Sequence, residues 1–145
     1  MKIVLVNAKN FGEAVAVYAA SWRESHRHIC TPQFLEKRDY AGYLVQKMER
    51  LYLVVDQAPV GVFCLDGDMF GDLYIHPDAQ GKGYGTACVQ YAQAHNSRLR
   101  LSVLSNNYRA IHLYEKSGFR FTGNDVLLRE GLWEREMQYT EKNYG

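Results

Sequence analysis

The residues whose types and spacing point most directly to chemistry are three glycines at alternate positions, in the run Gln80-Gly81-Lys82-Gly83-Tyr84-Gly85-Thr86. An apolar segment, Leu73-Tyr74-Ile75, precedes them. Pro77 has no N–H to give a sheet ladder, so a strand is predicted to end before it. A helix-prone run follows, over 86–97. Alternate glycines strip side chains from a turn and permit backbone angles that other residues avoid. A strand, a glycine turn and a helix start together present free N–H groups, and the helix dipole adds about half a positive charge. That arrangement holds an anion, and Lys82, the one charged side chain in the turn, has the sign a phosphate needs. Two nucleotide patterns fail on spacing. There is no Gly-x4-Gly-Lys-Ser/Thr, and the glycines run Gly-x-Gly-x-Gly rather than Gly-x-Gly-x-x-Gly, with no acidic residue over 100–105. From these residues alone, an ordinary glycine turn stands as the alternative.

A second constellation lies at Asn107-Tyr-Arg-Ala-Ile-His-Leu-Tyr-Glu-Lys-Ser-Gly-Phe119. Asn107 can cap a helix, and Gly118 suits the left-handed residue after a helix end. Asn107 and Tyr114 are seven apart, about 700° of helix rotation, so they lie nearly on one line. Spacing alone leaves Tyr114 as a buried helix-face tyrosine and Asn107 as a cap.

Together the two segments resemble one family. Gln80-Gly81-Lys82-Gly83-Tyr84-Gly85 fits the Gln/Arg-x-x-Gly-x-Gly/Ala signature of the GNAT superfamily of acyl-CoA N-acyltransferases, and Leu-Tyr-Ile-His-Pro before it is similar to that family's central strand. The second pattern, Asn-x-x-Ala-x-x-Leu/Phe-Tyr-Glu-Lys-x-Gly-Phe, is met at Asn107, Ala110, Leu113, Tyr114, Glu115, Lys116, Gly118 and Phe119. The resemblance covers about 60–123, and the first fifty residues match in general layout.

The resemblance implies an acetyl-CoA-dependent N-acetyltransferase that moves an acetyl group to a primary amine of a small molecule, or to a protein or peptide amine, by direct transfer in a ternary complex. It implies an α/β (α+β) fold. Its mixed, mainly antiparallel sheet would have a central parallel strand pair splayed at the CoA site and helices on both faces. Gln80, Gly81, Lys82, Gly83, Tyr84, Gly85 and Thr86 would hold the CoA diphosphate. Leu73, Tyr74 and Ile75 would pair with the pantetheine amides as a strand edge does, and a backbone N–H there would stabilise the developing oxyanion. Asn107 would contact the CoA arm. Tyr114 stands where the family's general acid stands. A thiol has a pKa of about 8.5 and a phenol about 10, so a positioned tyrosine can protonate the leaving thiolate and recover its proton from solvent.

No general base emerges. Some family members carry a glutamate on the central strand near position 69 or 71, where this chain has Met69 and Gly71. Others, including the N-terminal protein acetylases, carry one five residues before the motif asparagine, where this chain has Ser102. Asp72 is available, but strand alternation puts it opposite positions 69 and 71 unless a bulge shifts the phase. The amine would then lose its proton through ordered water or arrive neutral. The missing base motivates an alternative, a catalytically silent acyl-CoA-binding or regulatory module. In the family the connection between the first two helices borders the acceptor, making Trp22, His26 and His28 candidate acceptor contacts beside a core tryptophan and surface histidines.

The elements that must position these residues read as follows. Residues 2–6 form a strand. Asn10 caps a helix with Glu13 completing a capping box, and Phe11, Ala14, Val15, Tyr18 and Trp22 share its buried face. Thr31-Pro32 starts a second helix, and Asp39 restarts it. The pattern Phe34, Leu35, Tyr43, Leu44, Met48, Leu51 continues the apolar face. Strands at 52–55, 60–65 and 69–75 make an antiparallel meander, turning at 56–59 and at Asp66-Gly67. The helix after the glycines buries Ala87, Cys88, Tyr91 and Ala92. A strand over 99–104 follows, and strand–helix–strand implies a right-handed parallel crossover. The tail supplies strands at 119–123 and 132–140, with Glu134, Glu136 and Gln138 on the solvated face.

Composition sets bounds. At 145 residues the chain reads as a single domain, 1–145, with 47% hydrophobic and 23% charged residues. A net charge of +1 advertises neither nucleic acid nor an anionic membrane as partner. Cys30, Cys64 and Cys88 are odd in number and scattered, which fits a reducing cytoplasm. His26, His28 and Cys30 would share one face of a strand, but the segment reads as a loop with no fourth ligand, so no metal is expected. A monomer or a homodimer is expected.

Overall fold

The computed structural model describes residues 1–141; the last four residues of the expected domain lie outside the described residues. Its strands are β1 (Lys2–Leu5), β2 (Leu51–Asp56), β3 (Ala58–Asp66), β4 (Met69–Ile75), β5 (Arg98–Leu104), β6 (Arg120–Arg129) and β7 (Leu132–Thr140). They hydrogen-bond in the order β1-β2-β3-β4-β5-β7-β6. The pairs β1–β2, β2–β3, β5–β7 and β6–β7 are antiparallel. β4 and β5 are parallel, as the crossover rule requires, with Met69 paired to Arg100. The helices are α1 (Phe11–His26), α2 (Pro32–Lys37), α3 (Tyr40–Val45), α4 (Tyr84–His95) and α5 (Tyr108–Lys116), with 3₁₀ turns at Met48–Arg50 and Pro77–Ala79.

The chain forms two compact units. The first comprises Met1–Cys64 and Asp72–Gly85; the second comprises Leu65–Gly71 and the chain from Thr86 onward. In the first unit, Val6, Ala14, Val17, Tyr18, Leu44, Leu51, Leu53 and Val62 are among the buried core residues, with Phe11, Val15, Trp22 and Tyr74 packed against them. The helix starts of α2 and α3 follow the sequence: Thr31 Oγ1 accepts from Phe34 N at 3.2 Å and Asp39 Oδ1 from Gly42 N at 2.9 Å. The capping box at Asn10 does not form. Asn10 Oδ1 instead accepts from Asn7 N at 2.8 Å, and Asn7 Oδ1 accepts from Lys9 N and Asn10 N. A tight Asn7–Asn10 loop thus consumes the oxygen that would have capped α1. Leu51, expected on a helical face, opens β2 and is fully buried. The turn expected over 56–59 is tighter. Gln57 alone turns the chain, at φ 65°, and Pro59 pairs with Val55 next to a register shift, a place where the sheet tolerates its missing N–H. The second turn is as read: β3 ends at Asp66, and Gly67 at φ 59° leads into β4.

In the second unit, Phe70, Cys88, Val89, Ala92, Leu99, Leu101, Phe119 and Met137 are buried. Val89 replaces Ala87 and Tyr91, which are half-buried, as the most enclosed side of α4. β7 follows the expected alternation, with Met137 and Tyr139 buried. β6 runs on to Arg129, well past the expected end at 123, because Asp125, Val126 and Leu127 find partners in β7.

Candidate active site

The glycine turn differs from the expectation in one respect. Gly81 and Gly83 have φ of 79° and 88°, but α4 opens at Tyr84, two residues earlier than read, so Gly85 belongs to the first helical turn. The side-chain-free stretch is therefore shorter, and the helix start is closer to it. The first four N–H groups of a helix, counted from its cap, have no partner within it, so the start of α4 offers those of Gly83, Tyr84, Gly85 and Thr86. Gly81, Lys82 and Gly83 are exposed. A Cβ at Gly81 or Gly83 would meet nothing within 4 Å, so it is the backbone angle, not crowding, that calls for glycine there.

Two side-chain bonds brace this turn. Gln80 Nε2 donates to the Ile75 carbonyl at 3.1 Å, tying the turn to the end of β4. The Tyr84 hydroxyl donates to Asp56 Oδ2 at 2.5 Å. That bond holds the Asp56 carboxyl below the ordinary carboxylate range, helped by the N-terminal ammonium at 3.7 Å and by Lys82. It raises the Tyr84 phenol in turn. The sequence marks Asp56 only as a turn residue; its partner stands 28 positions away, beyond the reach of any local signal.

Leu73, Tyr74 and Ile75 are half-buried on β4. Tyr74 packs its ring edge-on to Tyr18 at 5.2 Å, and burial pushes its phenol well above the ordinary value. Just before them the strand breaks phase. Asp72 sits at φ 49°, so simple alternation does not hold at this point. Its carboxylate accepts from Tyr43 Oη at 3.0 Å and from Lys47 Nζ at 2.6 Å. The sequence marks Tyr43, on α3, only as part of an apolar helical face, and gives Lys47, just after α3, no role. The Lys47 ammonium is partly buried, which would lower its pKa, but its bonds to Asp72 and Tyr43 outweigh that and raise it. Met69 and Gly71 bring no carboxylate to β4, and Ser102 none to β5.

Trp22 and His26 lie one turn apart at the end of α1, their rings stacked at 3.6 Å and 7°. The His26 Nδ1–H donates to the Trp22 carbonyl at 2.9 Å. The Arg38 guanidinium lies over the Trp22 ring at 4.1 Å and donates to Tyr18 Oη at 3.0 Å. His28 is exposed, and Arg27 donates to it. Among the described residues, no three His, Cys, Asp or Glu side chains gather as a metal site would require.

In the second unit, Asn107 caps α5, its Oδ1 accepting from Ala110 N at 3.2 Å. Tyr114 is buried. Its carbonyl accepts from Phe119 N at 3.0 Å, while Gly118 N, at φ 96°, reaches the Glu115 carbonyl at 3.1 Å. These two bonds make a Schellman end to α5. The Tyr114 and Phe119 rings, 5.7 Å apart, supply the apolar contact of that motif, and Phe70 meets Tyr114 edge-on at 6.4 Å. The phenol of Tyr114 is thus carried on a helix end whose geometry is fixed.

Residues 8–121 match the family described as the acetyltransferase (GNAT) domain. The chain belongs to the GNAT acetyltransferase family. This GNAT protein is similar to the peptidyl-lysine N-acetyltransferase YjaB of Escherichia coli (strain K12), at 29% identity over 113 residues, 77% of this chain and 76% of that one. It is 28% identical over 110 residues to YjaB of Salmonella typhimurium, covering 75% and 76% of the two chains. Among solved structures, the apo form of E. coli YjaB shares the fold with a TM-score of 0.73 at 23% identity, over 95% of this chain and 96% of that one. PaiA N-acetyltransferase from Thermoplasma acidophilum, in complex with coenzyme A, shares it with a TM-score of 0.74 at 16% identity, over 96% and 98%. The expected α/β fold and the N-acetyltransferase class are therefore both met: the chain is an acyltransferase of this family.

Proposed function

We propose that this GNAT enzyme transfers the acetyl group of acetyl-CoA to a primary amine by direct attack in a ternary complex, and that the side-chain amine of a peptide lysine is among its acceptors. One observation carries the acceptor class: relatives matched over three quarters of both chains bear the name peptidyl-lysine N-acetyltransferase. It moves the first choice from the small-molecule amine to the peptide amine. In this reading Gly81, Lys82, Gly83 and the first N–H groups of α4, Tyr84 to Thr86, receive the diphosphate, with Gln80 bracing the turn. Leu73, Tyr74 and Ile75 pair with the pantetheine arm, and Asn107 contacts it. Trp22 and His26 border the acceptor.

The neutral amine nitrogen attacks the thioester carbon. The new C–N bond forms as the C–S bond breaks, a backbone N–H of β4 steadies the oxyanion, and Tyr114 gives its hydroxyl proton to the leaving thiolate. The nitrogen releases its extra proton to water, and solvent re-protonates the phenolate. Support for Tyr114 comes from the motif match and from the fixed end of α5 that carries it.

The test is thiol release from acetyl-CoA with a lysine-containing peptide and, in parallel, spermidine. Wild type is expected to release thiol with the peptide. Tyr114→Phe keeps both ring contacts, so it should bind acetyl-CoA as wild type does and lose about a hundredfold or more in kcat near neutral pH. Unchanged kcat removes Tyr114 from the mechanism. Acetyl-CoA binding with no thiol release for either amine leaves the silent acyl-CoA-binding module standing instead.

A further inference from the structure

Of the described non-glycine residues, two have left-handed backbones: Gln57, at the tip of a hairpin, and Asp72, inside a strand. A hairpin tip needs such an angle; a strand interior does not, and a residue other than glycine held there is disfavoured against its extended state. Something must hold Asp72. Its carboxylate is gripped from one side by the Lys47 ammonium at 2.6 Å and the Tyr43 hydroxyl at 3.0 Å, and the Lys47 Nζ lies 4.4 Å from the centre of the Tyr43 ring. Tyr43 is itself fixed by stacking on Tyr18 at 5.6 Å. The Asp72 side chain is 16% exposed and that of Lys47 26%, so water competes weakly for this pair. Burial first, and the charge of the Asp72 carboxylate second, push the Cys64 thiol up to about 12.

The place of the kink gives it meaning. If the diphosphate lies on the turn at 81–86 and the pantetheine arm runs back along 75, 74 and 73, three residues carry it about 10 Å. Asp72 then stands at the thioester end. We propose that Lys47 and Tyr43 are positioning residues: they pin the Asp72 carboxylate, and through it the left-handed backbone at 72 that aims the N–H groups of residues 73–75 at the acyl-CoA arm. This rests on the assignment of β4 to that arm. The pair acts as a clamp on the backbone. It accounts for a carboxylate on the central strand of a chain that lacks the expected glutamates.

The clamp predicts a pattern that simple stabilisation does not. Glycine adopts a left-handed angle without help, so Asp72→Gly dispenses with the clamp, whereas Asp72→Ala needs it and has lost it. The measurement is acetyl-CoA affinity by calorimetry, each variant held well below its own melting temperature. Lys47→Met and Asp72→Ala should each weaken binding about tenfold, the scale of a left-handed penalty expressed as affinity. Asp72→Gly should stay within about twofold of wild type, and Lys47→Met should add nothing in the Asp72→Gly background. Lys47→Arg should recover most of the affinity lost in Lys47→Met. Where Asp72→Ala fails to fold, the Lys47 series and its Asp72→Gly background decide the matter alone. Wild-type affinity in Lys47→Met, or equal loss in Asp72→Gly and Asp72→Ala, overturns the proposal while the acetyl-CoA reading stands. A wild-type chain that binds no acetyl-CoA overturns both.

Discussion

The imidazole of His26 lies flat on Trp22, with Nδ1–H committed to the Trp22 carbonyl. Its remaining nitrogen, Nε2, is the one that must take a proton in acid. Burial against the indole opposes that charge most strongly, the carbonyl bond favours it, and the nearby Arg38 guanidinium opposes it, so the folded-state pKa falls below the ordinary 6.5. In the unfolded chain the ordinary value returns. Between the two values the unfolded state binds more protons, so stability is fully present above 6.5 and drains away as pH falls through the folded value. Wild type is therefore expected to lose melting temperature from pH 7 to pH 5 more steeply than His26→Gln, which keeps a polar side chain and does not titrate. Parallel slopes for the two proteins would remove His26 as a source of acid sensitivity. The same residue is a candidate for acceptor contact, so a pH-dependent KM for the peptide would have to be read beside this stability slope.

At the scale of elements, the glycine turn and α4 separate two jobs that the sequence pattern runs together. Gly81 and Gly83 carry left-handed backbones in open space. Alanine at either costs about 1–2 kcal/mol in backbone strain and should weaken acetyl-CoA binding as the turn relaxes. Gly85 is helical, and glycine inside a helix is less stable than alanine by about 0.5–1 kcal/mol. Gly85→Ala should therefore leave the free protein as stable as wild type or more so, yet weaken acetyl-CoA binding, since a methyl group at the helix start hinders the approach of a diphosphate to the N–H groups. Urea denaturation with calorimetry of acetyl-CoA distinguishes the three variants. Stability lost in all three with affinity untouched would make the glycines a matter of folding alone. Elsewhere the elements show which signals are local. Thr31, Asp39, Asn107 and Gly118 were readable as helix ends because each bond they make spans a few residues. The Asn10 box failed because Asn7, equally local, competes for the same oxygen.

For the whole chain, what was legible followed sequence distance. The strand order around β4 and β5 came from a strand–helix–strand rule, and two motifs fixed the family. The pairs that shape the candidate site were not legible, since Tyr84–Asp56 spans 28 positions, Lys47–Asp72 spans 25 and Tyr43–Asp72 spans 29. Composition and periodicity carry no record of which distant polar groups meet. A ligand that binds only the folded chain reports on all of them together. At a free concentration one hundred times its Kd, acetyl-CoA should raise the unfolding free energy by about 2.7 kcal/mol. The diphosphate assignment makes this sharper. CoA carries the diphosphate and should stabilise nearly as well as acetyl-CoA, whereas pantetheine has the arm without it and should stabilise far less at the same concentration. Denaturant titrations with each ligand measure the difference. Equal stabilisation by pantetheine and CoA would mean that the turn at 81–85 and the start of α4 hold no anion, and the glycines would revert to an ordinary turn.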